Sequence, residues 1–147
     1  MNYSLSKIRW LRVIGAALAV IASSFLILMA VVLVYAFVLA FRARGAPDQN
    51  AINHFGAWVG ARLMPWLEMS LTLAVALRVA RRAGNAPVLH GVLIGILAGL
   101  LGLAVTAAFG GRPDLRNLLI ALAVMGLGWL GGFIGGHLSP PGERCIP

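Results

Sequence analysis

One carboxylate stands inside an apolar stretch of this chain where hydrocarbon would not tolerate it without a partner. Glu68 falls in residues 52–77, a run whose only other charge is Arg62. An acid at the centre of a bilayer costs about 2.5–3.5 kcal/mol on insertion scales, so its presence points to a polar contact, an aqueous route or a function. Two chemistries follow. The carboxyl is hydrogen-bonded and fixes helix register, or it takes up and releases a proton or cation. Counting about 15 Å along a helix from Arg78 sets Glu68 near the midplane of a core roughly 30 Å thick. The same depth on the first and fourth apolar runs reaches Ser23, Ser24 and Trp129, whose hydroxyl or indole N–H groups are the expected partners.

The remaining candidates are weaker. Trp58, Arg62 and Trp66 are spaced four apart, so they share one helix face and permit cation–π stacking. Arg62 lies about 24 Å from Arg78, at an outer interface where arginine snorkels and tryptophan is enriched. Pro65 is expected to kink the helix beside them. His90 and His137 fall near helix ends on one side, and His54 lies on the other. Two histidines do not make a zinc site, so they read as interfacial residues. Cys145, the single cysteine, has neither a disulfide partner nor a catalytic constellation. Gly126-x-Gly128-x-x-Gly131 spells a dinucleotide fingerprint, but it lies in an apolar helix with no strand before it. No catalytic residue, cofactor or metal is expected.

The elements that hold these residues are four apolar helices. The chain has 147 residues, 61% hydrophobic and 11% charged. That is far more apolar surface than one small soluble core buries. Spans are expected at about 12–41, 51–80, 87–109 and 116–138. Short links make the whole chain, 1–147, a single transmembrane domain, an antiparallel four-helix bundle. The apolar run at the start exceeds a signal peptide's core of about 7–15 residues and reads as a retained first helix.

The punctuation agrees with this layout. Asp48 and Asp114 are expected N-caps of helices two and four. Gly84 and Asn85 offer a left-handed turn after helix two, and Pro140 and Pro141 end helix four. Lys7, Arg9, Arg12, Arg78, Arg81, Arg82 and Arg144 share one side, against Arg42, Arg44, Arg112 and Arg116 on the other. That asymmetry predicts both termini in the cytoplasm. The net charge of +8 forms no stripe for nucleic acid, and the bilayer is the expected partner.

Glycine spacing is the strongest pattern. Gly91, Gly95 and Gly99 repeat every fourth residue in helix three, as do Gly128, Gly132 and Gly136 in helix four. Such rows let backbones approach where the hydrophobic effect between helices is weak. Gly131 and Gly135 form a neighbouring row, expected to meet a second protomer while the first meets helix three. The loops at 41–50 and 109–117 share an Arg, a Pro-Asp pair and an Asn, consistent with a duplicated hairpin or simply with two good helix starts.

In layout, and in the segment Leu127-Gly-Trp-Leu-Gly-Gly-Phe-Ile-Gly-Gly136, the chain resembles uncharacterised four-helix bacterial inner-membrane proteins with a glycine-rich last helix. It lacks the first-helix glutamate of the small multidrug-resistance exporters, the acidic-basic signature of the membrane-associated glutathione enzymes and the signatures of the fluoride channels. The resemblance implies an inner-membrane location and carries no active residue. Two functions compete. One is a non-enzymatic component that assembles with itself or a membrane partner protein. The other is a small proton- or cation-coupled transporter or channel using Glu68. They differ in whether Glu68 is paired and dry or faces water.

Overall fold

The computed structural model describes residues 10–83, 86–108 and 114–138. These form four helices: α1 (Trp10–Ala43), α2 (Gln49–Arg82), α3 (Pro87–Ala108) and α4 (Leu115–His137). Each is long and apolar enough to cross a membrane. The helix starts are chemically explicit. The Asp48 carboxylate accepts from the Asn50 backbone N–H at 2.9 Å, and that of Asp114 accepts from the Asn117 N–H at 2.9 Å. Each satisfies an N–H that the first helical turn leaves without an internal partner. Arg44, with φ 50°, breaks off α1 in the left-handed region. The expected turn at Gly84 and Asn85, the helix-ending Pro140 and Pro141, Cys145 and most of the second Pro-Asp loop lie outside the described residues.

The α3–α4 contact is the most extensive in the molecule. It is antiparallel and made by backbone. A Cβ added at Gly91 would fall 2.5 Å from the Gly132 Cα, and one at Gly128 would fall 2.6 Å from the Gly95 Cα. One at Gly99 would lie 3.1 Å from the Ala121 carbonyl, and one at Gly136 would meet the Pro87 ring at 2.7 Å. No side chain fits between these helices at those points, and dispersion between close backbones takes its place.

The second glycine row corrects an expectation. Gly131 and Gly135 pack against α2 of the same chain. Added Cβ atoms there would fall 2.8 Å from the Ala76 Cβ and 2.7 Å from the Ala80 Cβ. These small residues, with buried Thr72, form the α2 side of that seam. Helix α4 is thus clasped on two faces within one chain, and neither row is left for a second protomer.

Helix α1 packs on α2 and α3 and does not meet α4. Its buried stripe is Val13, Ala16, Ala17, Val20 and Ser24, each three or four residues from another. Val13 and Ala16 join Ile94 in a small core with Val75, Val79 and Leu93 around it. Toward its other end α1 meets α2 through Tyr35 stacked on Phe55, ring centroids 3.8 Å apart. Gly56 and Gly60 face Val32 and Leu28 there at ordinary contact distances.

Glycine position, rather than glycine content, therefore sets stability. Gly91→Ala should cost about 1–3 kcal/mol, because backbone must move to admit a methyl group. Gly126 has nothing within 4 Å of an added Cβ, so Gly126→Ala should be neutral or stabilise by up to about 1 kcal/mol through helix propensity. Thermal melts of the two variants in one detergent would separate them. Equal melting temperatures would contradict the close-contact account.

Candidate functional site

Glu68 projects between α2, α3 and α4 into a pocket of about 240 Å³. Gly102 makes the room. A Cβ there would fall 3.3 Å from Glu68 Oε2 and 3.7 Å from Oε1, so any larger residue on α3 would crowd the carboxyl. Met64, Leu103 and Ile120 give the wall its apolar part, and Thr106, Arg116 and Asn117 give it a polar end. The Thr106 hydroxyl donates to the Gly102 carbonyl at 2.9 Å and so braces α3 where it borders the acid. Among the described residues no donor reaches the Glu68 carboxyl, which opens on the pocket.

The polar end is built around a defect in α2. Pro65 has no N–H, so the carbonyl of Ala61, four residues earlier, loses its partner in the helix. Arg116, in the first turn of α4, donates from Nη2 to that carbonyl at 2.7 Å. One arginine thus repairs the proline gap and ties α4 to α2. Arg116 and Glu68 line the same pocket, with Glu68 about 10 Å further along α2 than Ala61. The arrangement offers one carboxylate and one guanidinium to whatever enters.

The expected partners of Glu68 are placed elsewhere. Ser24 is fully buried and donates to the Val20 carbonyl of its own helix at 2.9 Å. Ser23 sits beside it on α1, which contributes no residue to the pocket. Trp129 is half exposed and stacks on Phe133 with centroids 5.9 Å apart. The reason is register. Ala76 pairs with Gly131 and Ala80 with Gly135, which sets Glu68 level with Ala123 rather than Trp129. The α1–α2 pairing of Gly56 with Val32 and Gly60 with Leu28 sets Val20, not Ser24, at that height.

Other candidates form local structures. Arg62 lies over the Trp58 ring, its Cζ 4.9 Å from the centroid, and Trp66 is largely exposed. His90 and His137 each turn Nδ1 back to a carbonyl of their own helix, Ala86 at 3.1 Å and Phe133 at 2.9 Å. Among the described residues no group of three metal-ligating side chains exists. The Thr72 hydroxyl, one turn beyond Glu68, is buried without a hydrogen-bond partner among them.

Sequence reasoning missed Gly102 and Arg116. Gly102 breaks the every-fourth-residue row of α3, and that offset was its signal. For Arg116 the signal was Pro65, since a proline inside a helix always leaves one carbonyl to be satisfied. Comparison with protein-family models, with curated proteins and with solved structures gives no match to this chain.

The repair of the proline gap makes a sharp prediction. Arg116→Met should cost about 0.5–1.5 kcal/mol by removing the exposed bond to the Ala61 carbonyl. In a Pro65→Ala background the residue 65 N–H is restored, and the same change should cost close to nothing, about 0.2 kcal/mol or less. A double-mutant cycle by thermal melting would measure the coupling. Additive effects would show that Arg116 does not act through that carbonyl.

Proposed function

We propose that this chain is a small membrane carrier in which Glu68 is the coupling group, exchanging a proton for a small cation in the pocket between α2, α3 and α4. The observation that carries this reading is a carboxyl without a hydrogen-bond partner among the described residues, opening on a cavity of about 240 Å³. A register-locking acid would be paired and dry, whereas this one faces space that its own helix neighbours leave open. The pocket suits a solute the size of a hydrated alkali ion or a small primary amine. Among the described residues Arg116 is the other charge on its wall, so the two groups cancel with Glu68 ionised and leave one positive charge when Glu68 is protonated. Binding a cation and binding a proton therefore compete at one carboxylate, which is the requirement for coupled exchange.

In this reading the protein lies in a bacterial inner membrane with both termini cytoplasmic. The Lys/Arg asymmetry supports that placement. The pocket's polar end then faces away from the cytoplasm. Self- or partner-assembly is the second reading. Its support is the broad apolar face of α1, where Leu26, Met29, Leu33, Phe37 and Phe41 are exposed.

Proteoliposomes holding a pH-sensitive dye test the carrier directly. Imposed gradients of sodium, potassium or methylammonium should drive proton movement in the wild type. With Glu68→Gln, which keeps the shape and removes the titrating group, the flux should fall to that of protein-free vesicles. Wild-type flux no greater than that of Glu68→Gln with any of the three ions would refute the proposal.

A further inference from the structure

At the opposite end of the bundle a second cavity opens between the start of α1 and the end of α2. It has a volume of about 750 Å³ and is lined by Leu11, Arg12, Gly15, Arg78, Val79 and Arg82 among others. Its chemistry differs from that of the Glu68 pocket. Three guanidinium groups converge on it from two helices, and among the described residues no carboxylate lines it. Arg12, Arg78 and Arg82 are all exposed. Below them the wall turns apolar, with Ala16 and Val75 continuing the surface inward. Gly15 adds to the opening, since a Cβ placed there meets nothing within 4 Å.

We propose that this cleft is a binding site for the headgroup of an anionic phospholipid. The arginines lie at helix ends, the level at which phosphates sit when apolar helices cross a bilayer. Arginine holds phosphate oxygens through paired N–H donors, and three such groups exceed the charge of a single phosphodiester. The apolar floor suits the first methylenes of an acyl chain and would be a poor surface for a free ion. Charge complementarity and the change from cationic rim to apolar wall both point to a lipid. The site is independent of Glu68 and of the carrier reading, because α3 and α4 do not line it.

The test is a lipid titration of the full-length protein in a zwitterionic detergent, read as a shift in melting temperature. Phosphatidylglycerol should raise the melting temperature, while phosphatidylcholine of the same chains and inorganic phosphate should not. Each arginine changed to glutamine should weaken the phosphatidylglycerol response about fivefold, and Arg12→Gln/Arg78→Gln/Arg82→Gln roughly a hundredfold. Gly15→Leu, which fills the cleft and leaves the charges in place, should also abolish the response. Arg42→Gln/Arg44→Gln, at the other end of the bundle, should leave it intact. If the triple variant does not fold, Gly15→Leu and the lipid comparison still decide. Equal responses to phosphatidylcholine and phosphatidylglycerol, or an undiminished response in Gly15→Leu, would overturn the proposal.

Discussion

Backbone approaches backbone in this protein, and that constraint arranges the rest. Helix α4 carries glycines on two adjacent faces. One lets α3 come within contact of its main chain, and the other does the same for α2. Among apolar helices of similar character, no oily face selects a partner, because side chains gain little by leaving lipid for one another. Small residues select instead, by admitting a neighbour where larger ones would hold it off. The two seams fix α2, α3 and α4 relative to one another, and α1 is added to the outside of α2 and α3.

The pocket is a consequence of the same seams. Where the glycine row of α3 continues past Gly99 to Gly102, the facing residue is Glu68 rather than another backbone, and the room left by the missing side chain receives a carboxyl. Pro65 then opens α2 on the same side and leaves a carbonyl that Arg116 fills. The acid and the guanidinium are brought to one cavity by two unrelated local events, a glycine out of step and a proline in a helix. Neither the charge nor the cavity alone would suggest exchange. Together they place a titratable group beside space that an ion can occupy.

The sequence states some of this plainly. Four apolar runs of sufficient length, the caps at Asp48 and Asp114 and the α3–α4 glycine contact can be read from composition and spacing, because each depends on neighbours along the chain or on one repeated residue type. The partners of Glu68 cannot. Counting residues from Arg78 gives a height in a slab but neither the stagger between helices nor the direction a side chain points. The stagger between α2 and α4 is set by how Ala76 and Ala80 seat against Gly131 and Gly135, and it moves Trp129 off the level of Glu68 by more than a turn. Ser24 is withheld from Glu68 for a further reason. A serine hydroxyl in a helix reaches the carbonyl four residues back, and Val20 satisfies it without help from another helix. The second glycine row reads equally well as an oligomer contact, because nothing local distinguishes an internal neighbour from an external one.

The central claim is that Glu68 borders water-accessible space within the bundle and not lipid. Thiol labelling in intact membrane vesicles measures this directly. In a Cys145→Ser background, Glu68→Cys would be exposed to a small, cationic, membrane-impermeant methanethiosulfonate, which reacts with the hydrated thiolate. Leu26→Cys and Leu122→Cys, on outward apolar faces, serve as controls. The account predicts modification at position 68 many times faster than at either control. Position 68 as unreactive as Leu26→Cys and Leu122→Cys would contradict it.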